Sequence, residues 1–597
     1  MKLHQSAVAL AALVALSCAA EPQPPIASPP APIAPTPTQA AAPAPSAPAA
    51  DADDAAVDAA EHAYLDLLVA IAPEYATSLG IHTRDAELDD YTVAGFDSAI
   101  AQEEKMLASL EAQFASPHVS ITKKVDLELL THSLEVAVRV GRDLQPDVRS
   151  PQSYLAPLGT IFLMIARPYA PAEDRAHAVV ARLEKIPDVI AAAKANLKNP
   201  PRVWTETAIE STHEAYAFLA QVHAFLEPTL PRDSARVTHA LQTAHAAFAD
   251  YEQFLKKDLL PRSKGDFAAG RPLFDFMLHQ SYFLDEDADA VLALGQKLFD
   301  ATDAQMTELA KKMDPKAPKG REWPEVAKRA KAKHPTAEDL IPSYKREVDR
   351  ARAFLVAKDA VPMPPNDDCE VIETPPFERA TIVAEYDPSP PFDTATTKGF
   401  FCVTPIEASM SAQQKEQMLR ENAQAEQVNT VVHETYPGHH LQLSFSRMNP
   451  SIIRKMSQTS LFDEGWALYS EELMSELGYY TDEQRLIQLE WTLVRAARVI
   501  IDVGLHTKGM TFDQAVSILT DKVHLERTLA LSEVKRYTSD PTQPLAYIVG
   551  REKIFALRER YKARDPEHFT LKRFHEDLLS HGTIAPALIA EEMFAPK

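Results

Sequence analysis

The chain has 597 residues, with 61 basic against 85 acidic side chains and a net charge of −24. That acidity argues against a nucleic-acid binder, which needs a basic face to neutralise phosphates, and a hydrophobic fraction of 46% excludes a wholly disordered or fibrous chain. Sixteen glycines against abundant Ala, Leu, Glu and Lys predict a mainly α fold, and three cysteines (Cys18, Cys369, Cys402) are too few for a disulfide scaffold or a Cys-rich metal knot.

Residues 1–18 read as a secretory signal, with basic Met1-Lys2 and an apolar run from Ala7 to Leu16 that is too short to span a bilayer as a mature helix. The run Val14-Ala15-Leu16-Ser17-Cys18 resembles a bacterial lipobox, whose cysteine is lipidated after cleavage, although Ala15 stands where leucine is usual. Residues 19–56 are Pro/Ala-rich without periodicity, which predicts an extended solvated tether. The expected location is outside the bacterial cytoplasm, either periplasmic or held at the membrane through lipidated Cys18. In an oxidising periplasm Cys369 and Cys402 either pair or stand as unrelated thiols.

Residues 57–597 are expected to form one large domain. Apolar positions at three- and four-residue spacing predict helices over 59–70, 125–140, 175–197, 206–226 and 235–255, with a loop at Asn199-Pro200-Pro201. The segment 361–405 differs in kind. Its β-branched and aromatic runs at 381–386 and 399–404, bounded by Pro, Asp and Gly, predict a small sheet. Helical periodicity resumes near Ser411. Chemistry-bearing residues cluster after position 400, so 57–360 reads as a helical scaffold and 361–597 as the catalytic half.

The chemical centre is the stretch Asn429 to His440, which contains His433-Glu434-Thr435-Tyr436-Pro437-Gly438-His439-His440. Zinc takes neutral imidazoles and carboxylates in a tetrahedral shell. Metallopeptidases commonly set two histidines one helical turn apart, with a Glu beside the first as general base. That spacing fails here, since Pro437 stands four residues after His433. The pairs His213-Glu214 and His575-Glu576 show that His-Glu alone is cheap. Pro437 has no N–H for the carbonyl of His433, so a local bulge is expected to return a later histidine to the metal face. On an unbroken helix His440 would lie about 20° from His433 and His439 about 120° away. An acidic partner lies downstream in Phe462-Asp463-Glu464-Gly465-Trp466-Ala467-Leu468-Tyr469, where Glu464 is the expected third ligand.

The motif from His433 to His440, followed by Glu464 to Tyr469, resembles the bacterial domain-of-unknown-function family 885, whose members are often exported lipoproteins. It is also similar to zinc peptidases with a Glu third ligand: the stretch from Glu464 resembles the Glu-Gly-Phe-Ala-Thr-Tyr of aminopeptidase N-like enzymes. The helical body resembles the thimet-oligopeptidase and angiotensin-converting-enzyme group, which implies a deep cleft. The resemblance covers roughly 57–595, with its specific motifs confined to 430–552. It implies a zinc metallopeptidase with one Zn2+ per chain. Gly438-His439 matches the Gly-His ending of related motifs, which makes His439 the expected second ligand and His440 the alternative. Zinc over manganese or cobalt follows from ligand type.

Two further groups stand out. Within otherwise apolar Trp491–Leu505, Arg495, Arg498, Asp502 and His506 fall on one helix face. They form either a buried salt-bridge stripe or a set that aims His506 or an Arg at the site, to donate a proton or bind a substrate carboxylate. In the proline-bounded stretch from Arg536 to Gly550, the resemblance puts Tyr547, ahead of Tyr537, against the oxygen that turns negative on a scissile carbonyl. Glu471, two turns after Glu464, either orients a ligand histidine or is an exposed charge. The expected reaction is hydrolysis of short peptides by metal-activated water, with Glu434 as general base and Tyr547 or His506 steadying that oxygen. The strand 400–404 is expected to take up extended peptide along an edge. The alternatives are zinc hydrolysis of another amide or ester, and a non-catalytic binding lipoprotein. Nothing in the residue pattern sets an oligomeric state.

Overall fold

The computed structural model describes residues 50–365, 367–374, 383–395, 397–408 and 410–596. The signal segment, Cys18, nearly all of the tether and positions 381–382 of the first expected strand lie outside them. Helices follow the apolar periodicity, start before it and end within one residue of it or beyond: Ala50–Ile71, Ile121–Leu144, Ala172–Asn196, Arg202–Thr229 and Ser234–Phe254. The second of these shows why. The Ser120 hydroxyl accepts from the Lys123 N–H at 3.3 Å, which satisfies a first-turn donor, and Gln145 ends the helix in the left-handed region at φ 47°. Between these points Val125, Leu129, Leu130 and Leu134 recur at helical spacing and are buried. No helix among the described residues is long and apolar enough to cross a membrane.

Three short strands make the sheet: β1 (Cys369–Glu373), β2 (Ala384–Asp387) and β3 (Gly399–Val403). The order is β1-β3-β2, with β3 parallel to β1 and antiparallel to β2. This corrects the expected peptide-binding edge. β3 is the central strand, both of its edges are taken, and Phe401 and Val403 are fully buried. The outer edge of β2 is the one that faces the histidine motif, as described below. Cys369 stands opposite Gly399 and Cys402 opposite Ile372, so the two cysteines are offset along adjacent strands and are not bridged.

One apolar cluster joins Tyr64, Leu68, Leu130 and Leu134 of the N-terminal helices to Val431, Val432, Trp466 and Tyr469 around the motifs. A buried polar knot reinforces this union. Glu61 accepts from the Ser451 hydroxyl at 3.0 Å and the Ile452 N–H at 2.8 Å, while Arg454 pairs with Asp126 at 2.5 Å and Glu592 at 2.8 Å. Chain regions far apart in sequence are thereby fixed around the short helix Ile452–Met456.

Two helices set the back of the site, Ser460–Glu476 and Gln543–Arg564. They cross backbone to backbone at Gly465 and Gly550. A Cβ on Gly465 would lie 2.7 Å from the Gly550 Cα, and one on Gly550 would fall inside the Leu461 carbonyl. Only glycine permits that approach. It brings together the turns that carry Glu464 and Tyr547.

Candidate metal centre

The helix Gln424–Glu434 stops at Glu434, and a new helix, His439–Ser446, starts at His439. The expected bulge within one helix is thus a full break across Thr435-Tyr436-Pro437-Gly438. Gly438 makes the return possible: a Cβ there would overlap the carbonyl of His433, so the loop folds directly onto the end of the helix it leaves. The Leu441 N–H donates to the Thr435 carbonyl at 3.3 Å, and the Gln442 N–H to the Gly438 carbonyl at 3.1 Å. Trp466 locks the turn from the other motif, its indole N–H donating to the Pro437 carbonyl at 2.8 Å. His439 opens its helix with the ring beside that of His433, centroids 4.9 Å apart and planes at 88°.

Three donor atoms converge. The Glu464 Oε2 lies 3.5 Å from the His433 Nε2 and 3.3 Å from the His439 Nε2. This oxygen is buried and has no hydrogen-bond partner among the described residues. Each imidazole is turned by a carboxylate behind it: His433 Nδ1 to Glu471 Oε1 at 2.8 Å, and His439 Nδ1 to Asp463 Oδ1 at 2.8 Å. With the ring protons held on Nδ1, both Nε2 lone pairs face the Glu464 oxygen, and three acceptors meet with no donor between them. A proton or a metal ion resolves that conflict. Zinc–nitrogen and zinc–oxygen bonds of about 2.0–2.2 Å at tetrahedral angles put ligand atoms about 3.3–3.5 Å apart, which is the spacing of the Glu464 oxygen from each imidazole nitrogen here. The donor set therefore fits zinc, and carboxylate-backed histidines are the usual support for such an ion.

The electrostatics point the same way. Burial alone would drive protons off both rings, yet Glu464 with Glu471 raises His433, and Asp463 with Glu464 raises His439 well above its ordinary value. Burial likewise would raise Glu464, but the two histidines hold its carboxyl well below the usual range. The centre is a negative field that wants a cation, and one that acid would compete for.

Glu434 stands beside this set, its ligand atoms with those of His433 and His439 all within 4.8 Å. Its Oε2 already accepts the Tyr386 N–H from the outer edge of β2 at 3.0 Å. Glu464 Oε2 lacks any such donor among the described residues, and Glu434, with one oxygen anchored, stands adjacent to both imidazoles. Tyr547 comes to the same place. Its phenol is raised first by burial and then by the charge of Glu464, and among the described residues its hydroxyl accepts only from Gln543 Nε2 at 3.4 Å.

Other expected residues go elsewhere. His440 turns away from the centre: its Nε2 reaches Asp367 at 3.1 Å and its Nδ1 meets the Tyr386 hydroxyl at 2.9 Å. It clamps the sheet to the motif. His506 is a correction. Its Nδ1 accepts the Ala269 N–H at 3.2 Å and its Nε2 donates to the Tyr537 carbonyl at 2.9 Å. Burial first pushes the ring down to about 4. A neutral imidazole with both nitrogens tied to backbone has no proton to offer a substrate. Tyr537 is committed to Glu533 and to Arg498, whose Nε donates to it at 2.9 Å. Of the salt-bridge stripe only an approach of the His506 Nε2 to Asp502 at 3.7 Å remains: Asp502 also accepts the Thr542 N–H at 3.3 Å, and Arg498 pairs with Glu533 on another helix at 2.8 Å.

Sequence reasoning missed Asp463 and Tyr386. Asp463 stood in the Glu464 motif, and its signal was adjacency: consecutive carboxylates can serve one ion as ligand and as orienter of a neighbouring histidine. Tyr386 acts through its main chain, for which no side-chain signal exists.

A family model described as "Bacterial protein of unknown function (DUF885)" matches residues 73–593. A "putative lipoprotein of unknown function" from Shewanella oneidensis has a similar structure, with a TM-score of 0.73 and 25% identity over 90% of this chain and 99% of that one. A "putative lipoprotein" from Colwellia psychrerythraea has a TM-score of 0.77 and 18% identity over 90% of this chain and 98% of that one, which speaks to fold. No curated protein matches.

Proposed function

From a chain that belongs to the DUF885 family, matched over residues 73–593, and that carries this donor set, we propose an exported zinc-dependent peptidase. One observation carries the reading: the buried, unpartnered Glu464 Oε2, 3.5 and 3.3 Å from two imidazole nitrogens whose other sides are held by carboxylates. His433, His439 and Glu464 would hold the ion, which when bound polarises a carbonyl and makes water acidic enough to attack at neutral pH.

The chain's own groups supply the rest. Glu434, anchored through Oε2 by the Tyr386 N–H, takes the proton of the attacking water and passes it to the departing amine. The water oxygen joins the acyl carbon, the C–N bond breaks, and the products are a carboxylic acid and an amine. The Tyr547 phenol donates to the oxygen that becomes negative. Its hydroxyl hydrogen is not spent on a partner among the described residues, which supports that role. Peptide is favoured over other amides and esters because the centre borders the outer edge of β2, where main-chain groups can pair with an extended chain. Export by lipidation of Cys18 is supported by the lipobox-like run and by the descriptions of the two structural relatives.

The test is metal quantification on protein purified without chelator. Wild type and His440→Ala should carry about one zinc per chain, and His433→Ala, His439→Ala and Glu464→Ala close to none. Glu434→Gln should keep its zinc and lose cleavage of a random peptide pool. Zinc retained in His439→Ala, or a zinc-loaded wild type that cuts cell-wall fragments and no peptide, would overturn this reading.

A further inference from the structure

The helix Asp482–Thr507 passes behind His433. Gln488, Thr492 and Arg495 share one face of it. Gln488 Nε2 donates to the second oxygen of Glu471 at 3.3 Å and to the Thr492 hydroxyl at 3.0 Å. One turn further on, Arg495 is 8% exposed, and its Nε and Nη1 are buried with no hydrogen-bond partner among the described residues. Among the described residues no carboxylate pairs with it. Arg498, 5% exposed, likewise has a buried Nη1 without a partner.

Ion pairs do not match these guanidiniums one for one. Glu533 pairs with Arg498 at 2.8 Å and stands 3.5 Å from Arg536, so one carboxylate serves two guanidiniums and leaves Arg495 out. Burial would raise Glu533, but Arg498 and Arg536 outweigh it and hold the carboxyl at about 2. Arg536 also donates to the Gln543 side-chain carbonyl at 2.6 Å. Glu471 attracts Arg495 only from a distance, its two oxygens already taken by His433 and Gln488. Burial first, and the like charge of Arg498 second, make Arg495 easier to deprotonate than an ordinary arginine.

These cations sit beside the candidate centre. The Arg495 and Arg498 guanidinium carbons lie 5.7 and 4.6 Å from the ring centre of Tyr547, whose phenol feels the charge of Glu464. Trp491 covers Arg495 at 4.7 Å, which fixes the plane of its fork. A buried guanidinium with idle donors is costly unless an anion meets it, and its planar fork is shaped for a carboxylate.

We propose that Arg495, supported by Arg498, binds the free C-terminal carboxylate of the substrate, so that this protein cleaves peptides close to their carboxyl end. The inference rests on the peptidase reading above, and it names the substrate class: short peptides with an unblocked carboxyl terminus. Arg495 holds the chain end beside Tyr547, whose phenol serves the bond to be cut.

The test separates binding from cleavage. Two pools of randomised N-acetyl tripeptides, one with free C-terminal carboxylates and one with amides, are offered to zinc-loaded Glu434→Gln protein, and retained peptide is counted by mass spectrometry. The free-acid pool should be retained about tenfold or more over the amide pool, and the ratio should fall to near one when Arg495→Met is added. Equal retention of the two pools, including retention of neither, would overturn the proposal, as would an advantage that survives Arg495→Met. Should that variant fail to fold, Arg495→Lys must still reduce the ratio, since a point charge cannot reproduce the fork. Cleavage of the same pools by wild type reports on the other reading alone. Selective binding of acids without any cleavage would sink the peptidase and leave the carboxylate site standing, whereas equal binding and cleavage of both pools would do the reverse.

Discussion

Glu471→Gln is the sharpest probe of how the candidate centre is held. The Glu471 carboxylate is fully buried, accepts from His433 Nδ1 at 2.8 Å, and takes the Gln488 Nε2 on its other oxygen at 3.3 Å. It fixes the His433 proton on Nδ1 and lends the ring negative charge, so the Nε2 lone pair faces Glu464 and, on the reading proposed above, would bind a metal more strongly. Glutamine keeps the shape but removes the charge. If its oxygen stays with His433, its amide nitrogen faces the Gln488 amide nitrogen, donor against donor. Gln488 cannot simply flip, because its nitrogen donates to Thr492 at 3.0 Å and its oxygen accepts from Arg485 at 2.6 Å. Losing such a partner typically weakens metal binding by about 10–100-fold, or about 1.4–2.7 kcal/mol. Competition against a chromogenic chelator reads the zinc affinity directly. His440→Gln is the control, its ring being tied to Asp367 and Tyr386, and its affinity should stay near that of wild type. Unchanged zinc affinity in a folded Glu471→Gln, or an equal loss in His440→Gln, would refute the geometry.

Three further outcomes follow from the same coordinates. Gly550→Ala drives a methyl into the Leu461 carbonyl at a backbone crossing; overpacking of this kind costs about 1–3 kcal/mol or more, so an unshifted melting temperature would contradict the close approach. Arg454→Met leaves Asp126 and Glu592 as buried carboxylates without their shared cation, although Lys123 still reaches Asp126 at 2.8 Å. Denaturant unfolding should show a loss of about 3 kcal/mol, the low end for a broken buried pair. His506 and His575 are both held down at about 4, each by burial first. Between pH 6.5 and 4 the unfolded chain binds more protons at these sites than the folded one. Stability is therefore full above pH 6.5 and falls as pH drops toward 4, by about 3 kcal/mol per histidine, and a flat unfolding profile across that window would exclude it.

The helices, and the candidate residues that the structure brings together, were legible because each rests on a local rule. Val125, Leu129 and Leu134 recur at helical spacing, and imidazole and carboxylate are the donor types zinc takes. What sequence periodicity got wrong depends on long-range placement. Helical geometry favoured His440, but that geometry holds only while a helix continues, and this one stops at Glu434. Arg495, Arg498, Asp502 and His506 do share a face, yet Asp502 and His506 are tied to backbone groups while the two arginines flank Tyr547, so common spacing gave no single role. The sheet order could not be read locally either. β1 comes from Cys369-Glu370-Val371-Ile372-Glu373, and only its pairing with β3 moves the exposed edge to β2.

The residues that flank the ligands explain why such motifs extend beyond the ligands themselves. Gly438 lets a broken helix fold back on the His433 carbonyl, and Gly465 with Gly550 lets two helices touch at the level of Glu464. Trp466 then ties the two devices together through the Pro437 carbonyl. None of these groups could bind an ion or a substrate, yet each sets where a ligand points. A donor displaced by about 1 Å no longer satisfies bonds of about 2.0–2.2 Å, so small residues and one indole N–H carry as much of the site's specification as the histidines do. The irregular gap between His433 and His439 is thus compatible with a convergent site because the backbone on both sides of it is anchored, at Gly438 from within the motif and at Trp466 from outside it.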